Sequence, residues 1–245
     1  NLGKIIAESG RVGIYGGLID QKGIVKADSA VVGENGKIYF KASKGLTLGK
    51  DSVTTANGAT GGEIKLQGGA GTTLVSGTVT AAGSDGRGGE IQVLGRRVGL
   101  TDNAMVDASG ATGGGTVLMG GDYQGRNAAV PNAEATYIGK NAAIKADAAT
   151  VGDGGKVIVW SDRDTSVAGK ISAQGGFLSG NGGFVETSGH KLSILDTARV
   201  NTLAPKGLTG NWLLDPLDFI IAASGGDMTG ATVSDNLKTS DVTIQ

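Results

Sequence analysis

The sequence has no cysteine and a single histidine, His190. Disulfide frameworks, thiolate metal sites and cysteine nucleophiles are therefore excluded, and one imidazole is all that remains for acid–base or zinc chemistry. Proline is scarce at 3 residues, which separates the 46 glycines among 245 residues from a collagen pattern, where the two rise together. Neither sign of charge dominates, since 22 Lys and Arg face 23 Asp and Glu for a net charge of −1. Without a basic excess the chain lacks the cluster of phosphate contacts on which nucleic-acid binding runs, so no nucleic-acid partner is expected. No apolar run approaches the roughly 18 residues that a membrane span needs, and no transmembrane segment is expected. The opening residues NLGKIIAESG carry no charged-then-apolar export signal, and the closing DVTIQ stops in strand-like alternation, so the chain reads as a piece of a longer one. Its 39% of hydrophobic residues is enough for a packed, ordered core.

What is present is a repeat. An octad recurs as GRVGIYGG from Gly10, GKIYFKAS from Gly36, GEIKLQGG from Gly62, GEIQVLGR from Gly89, GTVLMGGD from Gly115, GKVIVWSD from Gly155 and GFVETSGH from Gly183. The glycines stand 26, 26, 27, 26, 40 and 28 residues apart, a period near 26 with one long interval. A second string follows in lockstep, as in VTTANG at Val53, VTAAGS at Val79, VDASGA at Val106, IKADAA at Ile144 and ISAQGG at Ile171. Two residues past each octad glycine stand Val12, Ile38, Ile64, Ile91, Val117, Val157 and Val185, an apolar and wholly β-branched column. Two further on come Ile14, Phe40, Leu66, Val93, Met119, Val159 and Thr187, while the position between varies from Gly13 and Tyr39 through Lys65 to Glu186 and the position right after each glycine is mostly polar. This is period-two alternation with one face buried, and β-branching favours strand over helix.

The expected fold is all-β: a right-handed parallel β-helix with about 26 residues and three short strands per coil. Its coils hydrogen-bond at about 4.8 Å spacing, so seven octads with partial coils at either end give a rod about 40 Å long, with the β-branched column as one interior ladder. A small residue in the third strand, Ala27, Ala81, Ala108, Ala146 or Ala173, turns inward. Glycines in corner strings such as GATGG and SDGRGG are expected to supply positive φ. Residues 1–245 read as one β-helical segment: regular coils over 1–120, an inserted loop over 121–136 that leaves the tube, further coils over 137–210, and an altered pattern over 211–245. The insertion holds Pro131, placed where it need not donate to a ladder.

The run GGTVLMGGDYQGRNAAVPNAEATYIGKNAAIKADAATVGDGGKVIVWSD, followed by GNGGFVETSGH and GNWLLDPLDFIIAASGGD, resembles the filamentous-haemagglutinin-like exoproteins of two-partner secretion. The specific stretch is roughly residues 113–225; residues 1–112 match as generic coils. The resemblance implies export through a dedicated outer-membrane transporter, display at the surface of a Gram-negative bacterium, often as an adhesin, and a right-handed β-helical rod. That family's amino-terminal secretion domain is not evident, so an interior stretch is expected.

Paired carboxylates could serve glycosidic chemistry, and Asp162 with Asp164 or Asp215 with Asp218 are the nearest pairs. SDRD and LDPLD read more simply as turns whose Asp side chains bond local backbone, and no polar column recurs, so no catalytic site is expected. Calcium in solenoid turns needs a repeated Asp, whereas Asp85 and Asp153 occupy turns of two coils alone, so neither metal nor cofactor is expected. His190 reads as a solvated turn residue. Trp160 at an outward position could join Tyr123, Arg126 and Tyr137 in a platform for a sugar or protein. The simpler alternative is that Trp160 lies beneath the insertion and anchors it, and Trp212 in GNWLLDP is a packing residue where the pattern changes.

The leading function is a non-enzymatic surface exoprotein rod that mediates attachment to host cells, surfaces or other bacteria through a glycan or protein receptor. The alternative is a subunit of an extracellular fibre built by end-to-end self-association, since solenoid ends expose strand edges and no polar cap is visible at either terminus. A polysaccharide-active β-helix enzyme is the third reading.

Overall fold

The computed structural model describes residues 1–29 and 35–245. Its strands are parallel throughout and wind into a β-solenoid of about eight turns, roughly 27 residues apart. The third strand of each turn stacks into an eight-stranded sheet running from Lys4–Ile6 through Ile24–Lys26, Val53–Thr55, Thr78–Thr80, Met105–Asp107, Ala143–Lys145 and Lys170–Ser172 to Arg199–Asn201. The first and second strands form the other two faces. They separate in the middle turns, as Glu63–Gln67 and Thr72–Val75 do, but in four turns they fuse into one long strand that rounds the corner: Arg11–Gln21, Lys37–Leu48, Lys156–Val167 and Phe184–Ile194. At that corner the register slips, between Gly16 and Leu18 and between Ser161 and Asp164. The fused strands join the two faces into a single twelve-stranded sheet.

The β-branched column is one interior ladder. Val12 pairs with Ile38, then Ile64, Ile91, Val117, Val157 and Val185 follow in unbroken register. All seven are buried. The ladder continues where the sequence pattern had suggested a change, because Val185 pairs with Trp212 and Trp212 with Val242. Trp212 is wholly buried, and its indole N–H donates to Thr187 Oγ1 at 2.9 Å, so a polar side chain in one turn satisfies the large ring in the next. The departure lies in residues 217–240, which carry the helix Gly230–Asn236 instead of another third strand.

The second-strand face buries hydroxyls among its aliphatics. Thr73, Thr136 and Thr165 donate to the carbonyls of Leu94, Trp160 and Ser188 at 2.7, 2.7 and 2.8 Å, so each threonine reaches across the corner to the first-strand face of the following turn. A lone buried hydroxyl would be costly; bonded to a backbone carbonyl, it stabilises the bend.

The glycines need a different explanation from the one their corner positions suggested. Among the described residues eight glycines have φ in the left-handed region. The recurrent pairs before the first strand are glycine because the chain passes there directly over its neighbour. A Cβ on Gly89 would stand 2.0 Å from the Gly62 carbonyl oxygen, and one on Gly36 would stand 1.5 Å from that of Ala27. The close approach lets each turn bond back to its own third strand, with Gly62, Gly89, Gly115 and Gly155 N–H donating to the carbonyls of Ala56, Ala81, Ala108 and Ala146 at 2.7–2.8 Å. The inward alanines are small for the same reason.

One end of the eight-stranded sheet is closed by side chains. Asn236, wholly buried, accepts from Val200 N–H at 2.6 Å and donates to the Ala198 carbonyl at 3.2 Å, reproducing the two bonds a further strand would make. Thr239 Oγ1 and Ser240 Oγ both donate to the Val200 carbonyl. The helix carrying Asn236 is started by Thr229, whose hydroxyl accepts from Thr232 N–H. A polar cap is thus present where the sequence showed none.

Candidate functional site

The distinctive feature of the surface is the insertion in the 40-residue interval. The strand Thr116–Met119 ends, residues 120–134 cross the outside of the solenoid, and the strand Ala135–Ile138 resumes the coil within the range assigned to the loop. This segment does not leave the tube, as the sequence suggested, but lies flat on it as a strap.

The strap covers an outward column that has become apolar. In register along the first strands stand Tyr39, Lys65, Gln92, Leu118, Ile158, Glu186 and Leu213. Leu118, Ile158, Glu186 and Leu213 are buried, although they point away from the interior ladder. Leu94, Leu118 and Ile158 form a second, smaller core with Val130 of the strap, and Trp160 and Phe184 pack against it. Leu94 and Ser188, near the ends of the same first-strand face, are both buried as well.

Trp160 sits beneath the strap, as the simpler of its two readings held. A Cβ on Gly125 would stand 2.5 Å from its indole and one on Gly121 2.6 Å, so the strap rides over the ring on glycine backbone. Its indole N–H donates to Asp162 Oδ1 at 3.1 Å, the same oxygen that accepts from Asn132 Nδ2 at 2.8 Å. Tyr123 is exposed on the strap and meets Phe184 edge-on, with ring centroids 5.9 Å apart; Arg126 is exposed beside it. Tyr137 stands elsewhere, exposed on the second-strand face between Gly99 and Ser166. The structure therefore brings Tyr123 and Arg126 together on the strap, with Trp160 below it and Tyr137 on another face.

Carboxylates fasten the strap. Asp122 Oδ1 accepts from Lys156 Nζ at 3.1 Å and from Tyr123 N–H at 2.8 Å, while Oδ2 accepts from Asn127 Nδ2 at 2.8 Å. Burial pushes Asp122 upward, but these donors together hold it below its ordinary value. Gln124, a non-glycine residue at φ 51°, presents its backbone N–H to both carboxylate oxygens of Glu186, at 3.1 and 3.3 Å, and its side-chain amide to Asp215 Oδ2 at 2.9 Å. Burial pushes Glu186 up to about 7, aided by the charges of Asp215 and Asp122 and opposed by the Gln124 N–H.

Asp162 and Asp215, first considered as members of carboxylate pairs, are thus both strap ties, while Asp164 and Asp218 are exposed. Asp153 accepts from Asn181 N–H of the next turn at 2.7 Å, and Asp85 bonds the hydroxyl of Ser84. His190 is exposed, at the corner of a fused strand rather than in a turn. Glu186 escaped the sequence reading because it stood in a column of mixed residues. The available signal was the neighbouring succession of Leu118 and Ile158, two aliphatics at an outward position.

No family model matches the chain, and no curated protein is similar to it. Among solved structures the chain is similar to the HMW1 secretion domain from Haemophilus influenzae, with 30% sequence identity, a TM-score of 0.61 and 88% of this chain covered. It spans 48% of the length of that chain. The similar structure is itself a secretion domain, whereas the sequence reading placed this stretch outside one. In fold and in sequence this chain resembles the filamentous-haemagglutinin-like exoproteins of two-partner secretion.

Proposed function

We propose that this chain is a β-helical stretch of a non-enzymatic exoprotein, carried by an outer-membrane two-partner transporter to the surface of a Gram-negative bacterium, where it serves adhesion as a rod. The observation that carries this reading is the similarity to a secretion domain over 88% of the chain. The unbroken ladder supports a mechanical role, since stability that accrues turn by turn suits a rod. Receptor contact, with a glycan or a protein, is assigned to the exposed Tyr123 and Arg126 on the strap, with Tyr137 as a separate contact on the second-strand face. Surface labelling of cells with and without the transporter tests export: the signal should vanish when the transporter is deleted, and display that persists would remove the secretion reading. Deleting residues 123–134 from the displayed protein should reduce attachment; full attachment would move the receptor contact off the strap.

A second reading is a fibre subunit joined end to end, since stacked solenoid turns can extend across a joint. The Asn236 cap weighs against it, because joining at that end of the eight-stranded sheet requires displacing bonds already made. A sedimentation profile that shifts to larger species with concentration would favour the fibre.

A further inference from the structure

The strap is held by contacts of two kinds. Its underside is apolar, with Val130 on Leu94, Leu118 and Ile158 and the Gly121 and Gly125 backbone over Trp160. Its bend is polar: Gln124, in a left-handed conformation that costs a non-glycine residue energy, keeps that conformation while its N–H points at a buried carboxylate. Glu186 faces Asp122 of the strap and Asp215 of the strand Asn211–Pro216; the strand Lys156–Val167 brings Lys156, which is bonded to Asp122, and Asp162, which ties Asn132 and Trp160. The cation next to this site is thus committed to Asp122, and Glu186 shares its surroundings with two other carboxylates. Among the described residues no group of three metal-ligating side chains is placed to hold a cation there.

We propose that the strap is a proton-operated latch, closed over Leu94, Leu118, Ile158 and Trp160 while Glu186 is protonated and loosened when Glu186 ionises.

The sign follows from burial. A carboxyl freed from the strap returns to its ordinary value of 4.5, while under the strap it is pushed up to about 7, chiefly by burial and further by Asp215 and Asp122. The closed form therefore binds the proton more tightly. Closure is fully favoured below 4.5, weakens as pH rises between the two values, and reaches its lowest level above about 7. With a tenfold change per pH unit over that interval, the opening equilibrium rises by about 300-fold. Opening exposes the apolar column and Trp160, and the interior ladder stays intact because its side chains occupy the alternate, inward positions of the same strands.

Hydrogen exchange of the intact protein at several pH values from 4.5 to 8.5, corrected for intrinsic exchange rates, reads the opening directly. The amides of residues 122–130 should show the rise and a plateau above about pH 7, while amides of the interior ladder at Ile91 and Val117 do not change. In Glu186→Gln the opening should stay flat across the range, near the low-pH value of the parent. Should that variant fail to fold, Asp215→Asn, which removes a charge facing Glu186, should show a smaller rise with the same direction. Acrylamide quenching gives a second readout, since Trp160 becomes accessible on opening while Trp212 remains in the core. A flat profile in the parent protein, an unchanged rise in Glu186→Gln, or a ladder that opens together with the strap would each overturn the latch.

Discussion

Two stretches of the same outward column behave in opposite ways. In the early turns the column holds Tyr39, Lys65 and Gln92, each half-buried, and the surrounding face is ordinary charged surface: Lys37 pairs with Glu63 at 3.0 Å, and Arg11 lies 5.7 Å from the Tyr39 ring centroid. In the three turns that follow, the same column holds Leu118, Ile158 and Glu186, all buried. The backbone pairing is continuous between them, so the strand geometry is not what differs. What differs is cover. A solenoid fixes the environment of its inner column by closing on itself, but leaves the outer column to whatever crosses it, and here the strap turns surface positions into a second core.

That contrast can be tested by substitution. The largest effect is expected inside, where no turn is spared: Ile91→Asp places an unpaired charge in the ladder and should cost more than about 4 kcal/mol, enough to unfold the middle turns in a urea titration followed by circular dichroism. A native-like melt would show that the ladder is not the stabilising core.

Next comes the outer column. Ile158→Ala beneath the strap should cost about 3 kcal/mol, whereas Lys65→Ala, at the equivalent position in an uncovered turn, should change stability by less than about 0.5 kcal/mol. Equal effects at the two positions would mean that cover does not set the environment.

The glycine pairs give a comparison of similar kind. Gly89→Ala forces a methyl group into the Gly62 carbonyl and should lower stability by about 2 kcal/mol, while Gly17→Ala, with nothing within 4 Å of the added carbon, should be close to neutral in thermal denaturation. The smallest effect belongs to the cap. Asn236→Ala leaves Val200 N–H without its acceptor and should cost about 1–2 kcal/mol, accompanied by faster amide exchange in Arg199–Asn201 alone. Exchange that accelerates throughout the sheet would show that the cap secures more than its edge.

The ladder residues, the period and the third-strand alanines were legible because burial on one side of a strand leaves a period-two trace, and that trace repeats in every turn. The glycine pairs were legible as a pattern but not as a cause, since the distance between a corner and the neighbouring turn is not written in either segment. Trp160 was legible as an outward aromatic next to an insertion. Glu186 was not, because one polar residue in a mixed column looks the same whether it meets water or Gln124.

Sequence alone determined that the chain coils, how long each coil is, and which side chains point inward, because these depend on local alternation and on repetition at a fixed interval. The tertiary structure decided that the insertion lies down as a strap, that Asp122, Asp162, Glu186 and Asp215 serve to hold it, and that Asn236 closes a sheet edge from a helix. Each of these joins residues from separate turns or excursions through contacts at 2.6–3.3 Å. No periodicity records such contacts, because hydrogen bonds and desolvation depend on where groups meet in space rather than on their order in the chain.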